Sequence, residues 1–147
     1  MEITPKEYQD YVAKKAKKSP IVKDTLLAFF IGGAICTLGQ GIQELWTAAG
    51  LDKESAGTAT SVSLVFLSVL LTGLNLYSKI GRFGGAGTLV PITGFANAVS
   101  APAIDFKAEG IVTGMAAKMF VVAGPVIVFG TVASVVYGVV LWVLEMI

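Results

Sequence analysis

Three long runs without a charged residue dominate the pattern of hydrophobic and polar positions along the chain. They extend over residues 25–43, 55–78 and 119–144. Each is long enough for the roughly 17–25 residues with which an α-helix crosses a bilayer. The pattern therefore predicts an all-α integral membrane protein with about three full transmembrane helices, at about residues 25–46, 53–77 and 125–145.

A fourth uncharged run, residues 83–104, does not have the composition of a simple span. It contains four glycines, two prolines, two threonines and an asparagine. Backbone that leaves the helical conformation is tolerated at membrane depth only where protein or a water-filled cavity satisfies its polar groups. Interrupted hydrophobic segments also mark the binding sites of transporters. The run therefore predicts a path for a polar solute.

The last apolar region is too long for one span. Residues 111–144 would form a helix of about 51 Å, against a hydrocarbon core of about 30 Å. Gly124-Pro125 offers a break, because proline removes a helical hydrogen bond. We therefore expect a short helix at residues 110–123 that pairs with residues 88–104. These two Gly/Pro-broken pieces would be short or re-entrant helices.

The first residues form a polar arm, residues 1–23, ahead of a single membrane domain at residues 24–147. Thr4-Pro5-Lys6-Glu7 predicts the start of a helix, with threonine as N-cap and glutamate three residues later. This amphipathic helix is expected to stop at Ser19-Pro20, and it carries a cluster of four lysines: Lys14, Lys15, Lys17 and Lys18. The cluster predicts a cytoplasmic N-terminus. Its role is either attraction to lipid headgroups or docking of a soluble partner.

Composition excludes several classes of function. Hydrophobic residues make up 54% of the chain and charged residues 14%, against about 25% charged in soluble domains. The net charge of +1 gives no field that would favour nucleic acid, and there is no histidine for a general base or a zinc site. Cys36, the single cysteine, has no partner within the chain for a disulfide. We expect no enzymatic activity, no cofactor and no metal site.

Lys118 is the first candidate for contact with a solute, because it interrupts an otherwise uncharged region. A charged side chain at the centre of a membrane helix costs about 2.5–3.5 kcal/mol on insertion scales, so it usually faces a cavity or a partner. Three alternatives are open: contact with a permeating anion, snorkelling of the ammonium group to the headgroups, or an ion pair with a carboxylate such as Glu109, Glu44 or Asp105.

Residues in the middle of the broken run form a second candidate set. Thr93, Gly94 and Asn97 bring a hydroxyl, bare backbone and an amide within one turn. We expect Pro91 and Pro102 to break the helix around them. These groups could replace the hydration shell of a polar solute. The alternative is hydrogen bonding between helices, which contributes about 0.6–2 kcal/mol in membranes.

Polar residues near the ends of the spans are secondary candidates. Gln40 and Glu44 share one face of the first span, and Asn75 lies near the end of the second. They either rim a vestibule or mark the boundary between helix and water. Trp46 and Tyr77 are expected at the membrane interfaces.

Three phrases of the sequence resemble one known family. They are Phe30-Ile-Gly-Gly-Ala-Ile-Cys-Thr-Leu-Gly-Gln40, Gly85-Ala-Gly-Thr-Leu-Val-Pro-Ile-Thr-Gly-Phe-Ala-Asn97 and Lys118-Met-Phe-Val-Val-Ala-Gly-Pro-Val-Ile127. They closely resemble the SpoVAC/SpoVAEb family, the membrane subunits of the stage V sporulation A proteins. The resemblance extends from about Pro20 to the C-terminus. The lysine-rich arm is most like the AC type.

The resemblance implies a subunit of a channel that moves dipicolinic acid with calcium across the inner spore membrane, inward in sporulation and outward in germination. It also implies two partners, an AE-b type membrane subunit and an AD type soluble subunit. Dipicolinate is an aromatic dianion, and Lys118, Arg82 and Asn97 are plausible groups to contact it. The runner-up function is a non-conducting membrane anchor that recruits a soluble partner. Because three spans are few to enclose a path, we expect a homo- or hetero-oligomer.

Overall fold

The protein is described here by a computed structural model that covers residues 4–15 and 20–146. Those residues fold into helices, and no strand occurs among them. The α-helices are α1 (Pro5–Lys15), α2 (Ile21–Ala48), α3 (Lys53–Gly73), α4 (Tyr77–Gly84), α5 (Ala86–Leu89), α6 (Ile92–Asp105) and α7 (Ala117–Glu145). A 3-10 turn (Lys107–Glu109) and a π-helical turn (Ile111–Ala116) lie between α6 and α7.

Helix α1 begins with the predicted capping box. The Glu7 carboxylate accepts hydrogen bonds from the Thr4 hydroxyl at 2.7 Å and from the Thr4 N–H at 3.0 Å. The Thr4 hydroxyl in turn accepts from the Glu7 N–H at 3.4 Å. The two bonds from Thr4, that of the side chain first, lower the pKa of Glu7. The predicted helix start is therefore confirmed.

Helices α2 and α3 form an antiparallel hairpin. Helix α2 ends with Gly50 in a left-handed conformation (φ 97°), and the Leu51 N–H returns to the Trp46 carbonyl. Asp52 then caps α3 by accepting from the N–H groups of Glu54 and Ser55 at 3.1 and 3.2 Å. The tight link between the helices follows from these two caps.

The end of α3 differs from the prediction. The span stops at Gly73, four residues earlier than expected. Asn75 takes a left-handed conformation (φ 57°), while the Asn75 and Leu76 N–H groups bond to the carbonyls of Thr72 and Leu71. This is a Schellman cap with asparagine at its left-handed position. It turns the chain sharply, so that α4 folds back against α2 and α3.

This turn also corrects the expected position of Tyr77. The residue is not at an interface: it begins α4 and is only 5% exposed. Tyrosine is buried readily when its hydroxyl finds hydrogen-bond partners. Trp46, in contrast, is partly exposed and donates its indole N–H to the Ser63 hydroxyl of α3 at 3.2 Å.

The predicted break at Gly124-Pro125 is wrong. Helix α7 continues through Pro125, and with the preceding π-helical turn it forms one apolar helix from Ile111 to Glu145. Its 35 residues correspond to about 52 Å at 1.5 Å per residue. In apolar surroundings, loss of one N–H is tolerated, because leaving the helix would expose more unpaired backbone.

Three helices are long and apolar enough to cross a membrane: α2, α3 and the continuous helix Ile111–Glu145. The Gly/Pro-broken pieces are also present, as α5 and α6, which meet at Val90 and Pro91. The predicted architecture of three full spans plus broken short helices is therefore confirmed. The partner of the broken piece, however, is the first part of α7 rather than a separate short helix.

Candidate functional site

Side-chain hydrogen bonds fix the position of α6 beside α3. The Ser68 hydroxyl donates to the Thr93 carbonyl at 2.6 Å, and the Thr72 hydroxyl lies 2.8 Å from the Asn97 Oδ1. Each pair is separated by 25 residues. The contacts therefore advance by four residues in the same direction along both helices. Helix α6 therefore runs parallel to α3.

The register between α2 and α3 gives the depth of these contacts. Gly39 of α2 faces Leu64 of α3, since a Cβ built at Gly39 would lie 3.4 Å from the Leu64 side chain. Four residues further along α3, Ser68 comes level with Ile35 of the antiparallel α2, and both residues line the same cleft. Ile35 lies about halfway along the uncharged part of α2, residues 25–43.

The uncharged part of α2 is bounded by Asp24 and Glu44. A helix between them is about 30 Å long, which equals the hydrocarbon thickness of a bilayer. Ser68 and its partner Thr93 therefore lie near the middle of the membrane. We refer to the two surfaces of the bundle as the Asp24 side and the Glu44 side.

Helices α4, α5 and α6 consequently form a re-entrant hairpin. Helix α3 ends at Gly73, about 7.5 Å beyond Ser68 towards the Asp24 side, and the chain then passes through α4 and α5 to Thr93, near mid-depth. It then descends through α6, whose 14 residues are about 21 Å long. That length returns Asp105 to the Asp24 side. The prediction left open whether this segment crosses or re-enters, and the register of α6 favours re-entry.

The apex of the re-entrant hairpin contains backbone that is not helical. Val90 and Pro91 separate α5 from α6, and no side chain caps the first turn of α6 within the described residues. Val90 is 84% exposed and Leu89 64%. Irregular backbone at this depth is compatible with protein or water, but not with lipid.

Hydroxyl groups join the two arms of the hairpin just behind the apex. The Tyr77 hydroxyl lies 2.9 Å from the Thr88 carbonyl of α5 and 2.9 Å from the Thr93 hydroxyl of α6. The Thr88 hydroxyl donates to the Gly85 carbonyl at 2.9 Å. No buried side-chain polar atom of the described residues lacks a partner. The polar residues of this apolar segment therefore form a connected network.

Two glycines allow the close packing of this network. A Cβ on Gly94 would collide with the carbonyls of Thr88 and Leu89, and one on Gly87 would collide with the backbone of Ala28 in α2. Glycine is required where backbones approach this closely. Gly94 thus has a packing role in addition to the predicted role in a solute path, which stays a prediction.

Asn97 and Thr93 differ in how many of their polar groups the network leaves available for contact with a solute. Thr93 is 6% exposed, and both its hydroxyl and its carbonyl are hydrogen bonded. Asn97 is partly buried, and within residues 4–15 and 20–146 its amide group hydrogen bonds only with Thr72. One half of the Asn97 amide is therefore available for another contact.

Lys118 leans back towards the Asp24 side. Its ammonium nitrogen lies 4.5 Å from the ring centroid of Phe106, the residue after α6. Helical side chains tilt towards the N-terminus of their helix, and a cation over an aromatic face is stabilised. This contact favours snorkelling over an ion pair with a carboxylate, while contact with a solute stays a prediction.

Of the secondary candidates, Gln40 and Glu44 lie together near the end of α2. Gln40 donates to the Glu44 carboxylate at 3.2 Å on the Glu44 side, which confirms that the two share a face. With Lys53 they line a polar surface cleft of about 580 Å³. Arg82 is exposed on α4, and Asn75 has the structural role of a helix cap.

The lysine cluster of the arm is described only in part. Lys15 is exposed and lies 5.7 Å from the ring centroid of Tyr11. Lys17 and Lys18 lie outside the described residues, as does the side chain of Lys14. The choice between lipid attraction and partner docking stays open for this cluster.

Sequence reasoning missed the α3 half of the network and Tyr77. Helix α3 buries Ala56, Thr60, Ser68 and Thr72. These small or hydroxyl-bearing residues are spaced by multiples of four and so share one face. That spacing was the available signal. Tyr77 carried no comparable signal, since an aromatic residue at the end of a span usually indicates an interface.

Fold and site together define an α-helical integral membrane protein with a re-entrant hairpin whose irregular apex lies near mid-depth. The sequence profile of the SpoVAC/SpoVAEB sporulation membrane protein family matches residues 24–140. The chain is also 42% identical over 139 residues to the "Stage V sporulation protein AC" of Bacillus subtilis (strain 168), covering 94% of this chain and 93% of that protein. No solved structure matches the chain.

The chain therefore belongs to the SpoVAC/SpoVAEB family of sporulation membrane proteins. The predicted family is confirmed, and the protein is a sporulation membrane protein.

Proposed function

We propose that this chain is a membrane subunit of a channel that moves dipicolinic acid, with calcium, across the inner spore membrane. Uptake would occur during sporulation and release during germination. The observation that carries the proposal is the apex near mid-depth, where the extended backbone of Pro91 interrupts the helix beside Val90, which is 84% exposed. Such backbone is found where a water-filled path or a partner protein satisfies it.

The chemistry around the apex suits an anion better than a cation. The first turn of α6 presents backbone N–H groups towards mid-depth, and the half-helix dipole places partial positive charge there. Lys118 adds a full positive charge on the way to the Asp24 side, and Arg82 lies exposed on α4. Dipicolinate carries two carboxylates on an aromatic ring, so donors and apolar side chains both match it.

A single chain does not enclose this path, since the apex is open on one side in the monomer. We propose association with the AE-b type membrane subunit and with the AD type soluble subunit, and an N-terminus in the cytoplasm. The exposure of α7 agrees with such an assembly: residues 125–146 are all exposed and apolar almost throughout.

The direct test is flux of labelled dipicolinate into liposomes that contain the chain, first alone and then with each proposed partner. We expect flux in at least one combination, and inhibition by substitutions at Asn97 or Lys118. Asn97→Leu removes the amide at similar volume, and Thr58→Val, at an exposed position of α3, is the matched control. Absence of flux in every combination would refute the channel function.

The alternative is a non-conducting anchor, and the exposed helix α1 favours it. Tyr8 and Tyr11 are 61% and 59% exposed, an arrangement that suits docking of a soluble partner. Deleting residues 1–15 separates the two functions. An anchor would lose the soluble partner without any change at the apex, whereas a channel subunit would retain basal flux.

A further inference from the structure

We propose that Tyr77 is a positioning residue that sets the geometry of the hairpin apex through its hydroxyl group. The proposal deepens the proposed channel function, on which its transport consequence rests. Its structural consequence can be tested without any transport measurement.

The direction of the two hydrogen bonds follows from the groups involved. A carbonyl only accepts, so the single proton of the Tyr77 hydroxyl goes to the Thr88 carbonyl at 2.9 Å. The Thr93 hydroxyl, also at 2.9 Å, then donates its proton to the Tyr77 oxygen. One phenol thus links the end of α5 to the start of α6.

The Thr88 carbonyl depends on this bond. In a continuous helix, the N–H of Ile92 would bond to the Thr88 carbonyl. Helix α5 ends at Leu89 and the backbone is extended at Pro91, so this helical bond is interrupted. Thr88 is only 1% exposed. A buried carbonyl without a partner is costly, and more so at low dielectric. The Tyr77 hydroxyl therefore satisfies an acceptor that the break itself creates.

Other contacts of the network hold only one arm. Ser68 and Thr72 bond to Thr93 and Asn97, and so tie α6 to α3. The Thr88 hydroxyl bonds within its own arm, to Gly85. Tyr77 is the residue of the described network whose side chain bonds to both arms, so it controls the distance between them.

Tyr77→Phe is the decisive substitution, because it removes the hydroxyl and keeps the ring that fills the space at the start of α4. Tyr137→Phe is the matched control, since Tyr137 is 65% exposed on α7, distant in sequence from the hairpin. Tyr77→Phe removes both hydrogen bonds of the hydroxyl, and a loss of this kind changes a conformational equilibrium by about tenfold or more.

The measurement is the distance distribution between spin labels at Val90→Cys and Lys53→Cys in full-length protein in liposomes, with Cys36→Ser to remove the native thiol. This readout does not require water at the apex. We expect a second distance population in Tyr77→Phe, with its ratio to the first raised about tenfold. The Tyr137→Phe distribution should match that of the parent protein.

Thr93 supplies a second pair of variants if Tyr77→Phe is not recovered from the membrane. Thr93→Ser keeps the hydroxyl that donates to Tyr77, and Thr93→Val removes it at similar volume. We expect Thr93→Ser to retain the parent distribution and Thr93→Val to show the second population. Equal distributions for these two variants, or for Tyr77→Phe and the parent, would overturn the proposal.

Dipicolinate flux through the same samples separates the two hypotheses. A second distance population together with altered flux supports both. The other outcome is a second population in Tyr77→Phe while the parent protein shows no flux in any combination of subunits. That outcome would leave Tyr77 as the positioning residue and refute the channel function. A purely structural role would lower the yield of Tyr77→Phe without a second distance population.

Discussion

Replacement of Gly87 by alanine should displace the hairpin from α2. A Cβ built at Gly87 would lie 2.8 and 2.9 Å from the carbonyl carbon and Cα of Ala28, and closer still to its carbonyl oxygen. Carbon atoms in contact normally lie about 3.5–4.0 Å apart, so α5 has to move by about 1 Å. The obstacle is backbone on both sides, which leaves no flexible side chain to move instead.

Overpacking of this kind costs about 1–3 kcal/mol, and occasionally more. We expect Gly87→Ala to lower the free energy of unfolding in detergent by an amount in the upper part of that range, measured by circular dichroism during titration with a denaturing detergent. Gly41→Ala in α2 is the control, because its Cβ meets nothing within 4 Å. Equal stability of Gly87→Ala and the parent protein would refute the close approach of α5 to α2.

Substitutions at three further positions test the caps and the charge. Hydrogen bonds from Ser55 lower the pKa of Asp52. The cap therefore stabilises α3 at pH values above the ordinary carboxyl pKa, and this stabilisation is lost as the pH falls through the lowered pKa. Asp52→Ala should lower the melting temperature at neutral pH but not in strong acid, and an equal effect at both pH values would contradict the cap. Asn75→Ala should cost about 1 kcal/mol because φ is positive there, whereas Asn75→Gly should be tolerated, as paired melting curves will test. Lys118→Met should reduce dipicolinate flux and Lys118→Arg should retain it; unchanged flux in Lys118→Met would assign Lys118 to snorkelling.

The spans and their caps could be predicted because they depend on local sequence. Runs without charge predicted the three long helices, and Thr4 predicted the start of α1, as the structure confirms. The end of α3 could not be placed, because Asn75 terminates the helix through a backbone conformation that the hydrophobic pattern does not register. The predicted breaks at Pro102 and Pro125 were also wrong, because α6 and α7 continue through these prolines. Proline breaks helices more readily in water than in lipid.

The candidate site could be predicted only in part, for a different reason. The break at Pro91 is visible in the sequence, because proline and glycine act locally. The partners of the broken segment are distant in sequence: Ser68 and Thr93 are 25 residues apart, and Tyr77 reaches Thr93 over 16. A hydroxyl in an apolar run shows that a partner is needed, but not where that partner lies.

The network narrows the set of groups that a solute could contact. The Thr93 hydroxyl is hydrogen bonded to Tyr77 and its carbonyl to Ser68, so contact with a solute would require breaking a hydrogen bond within the protein. The remaining half of the Asn97 amide and the uncapped N–H groups at the start of α6 carry no such cost. If the hairpin lines the path, we therefore expect Asn97→Leu to reduce dipicolinate flux more than Thr93→Ser, which keeps the internal bonds. The reverse order would indicate that the network opens during transport.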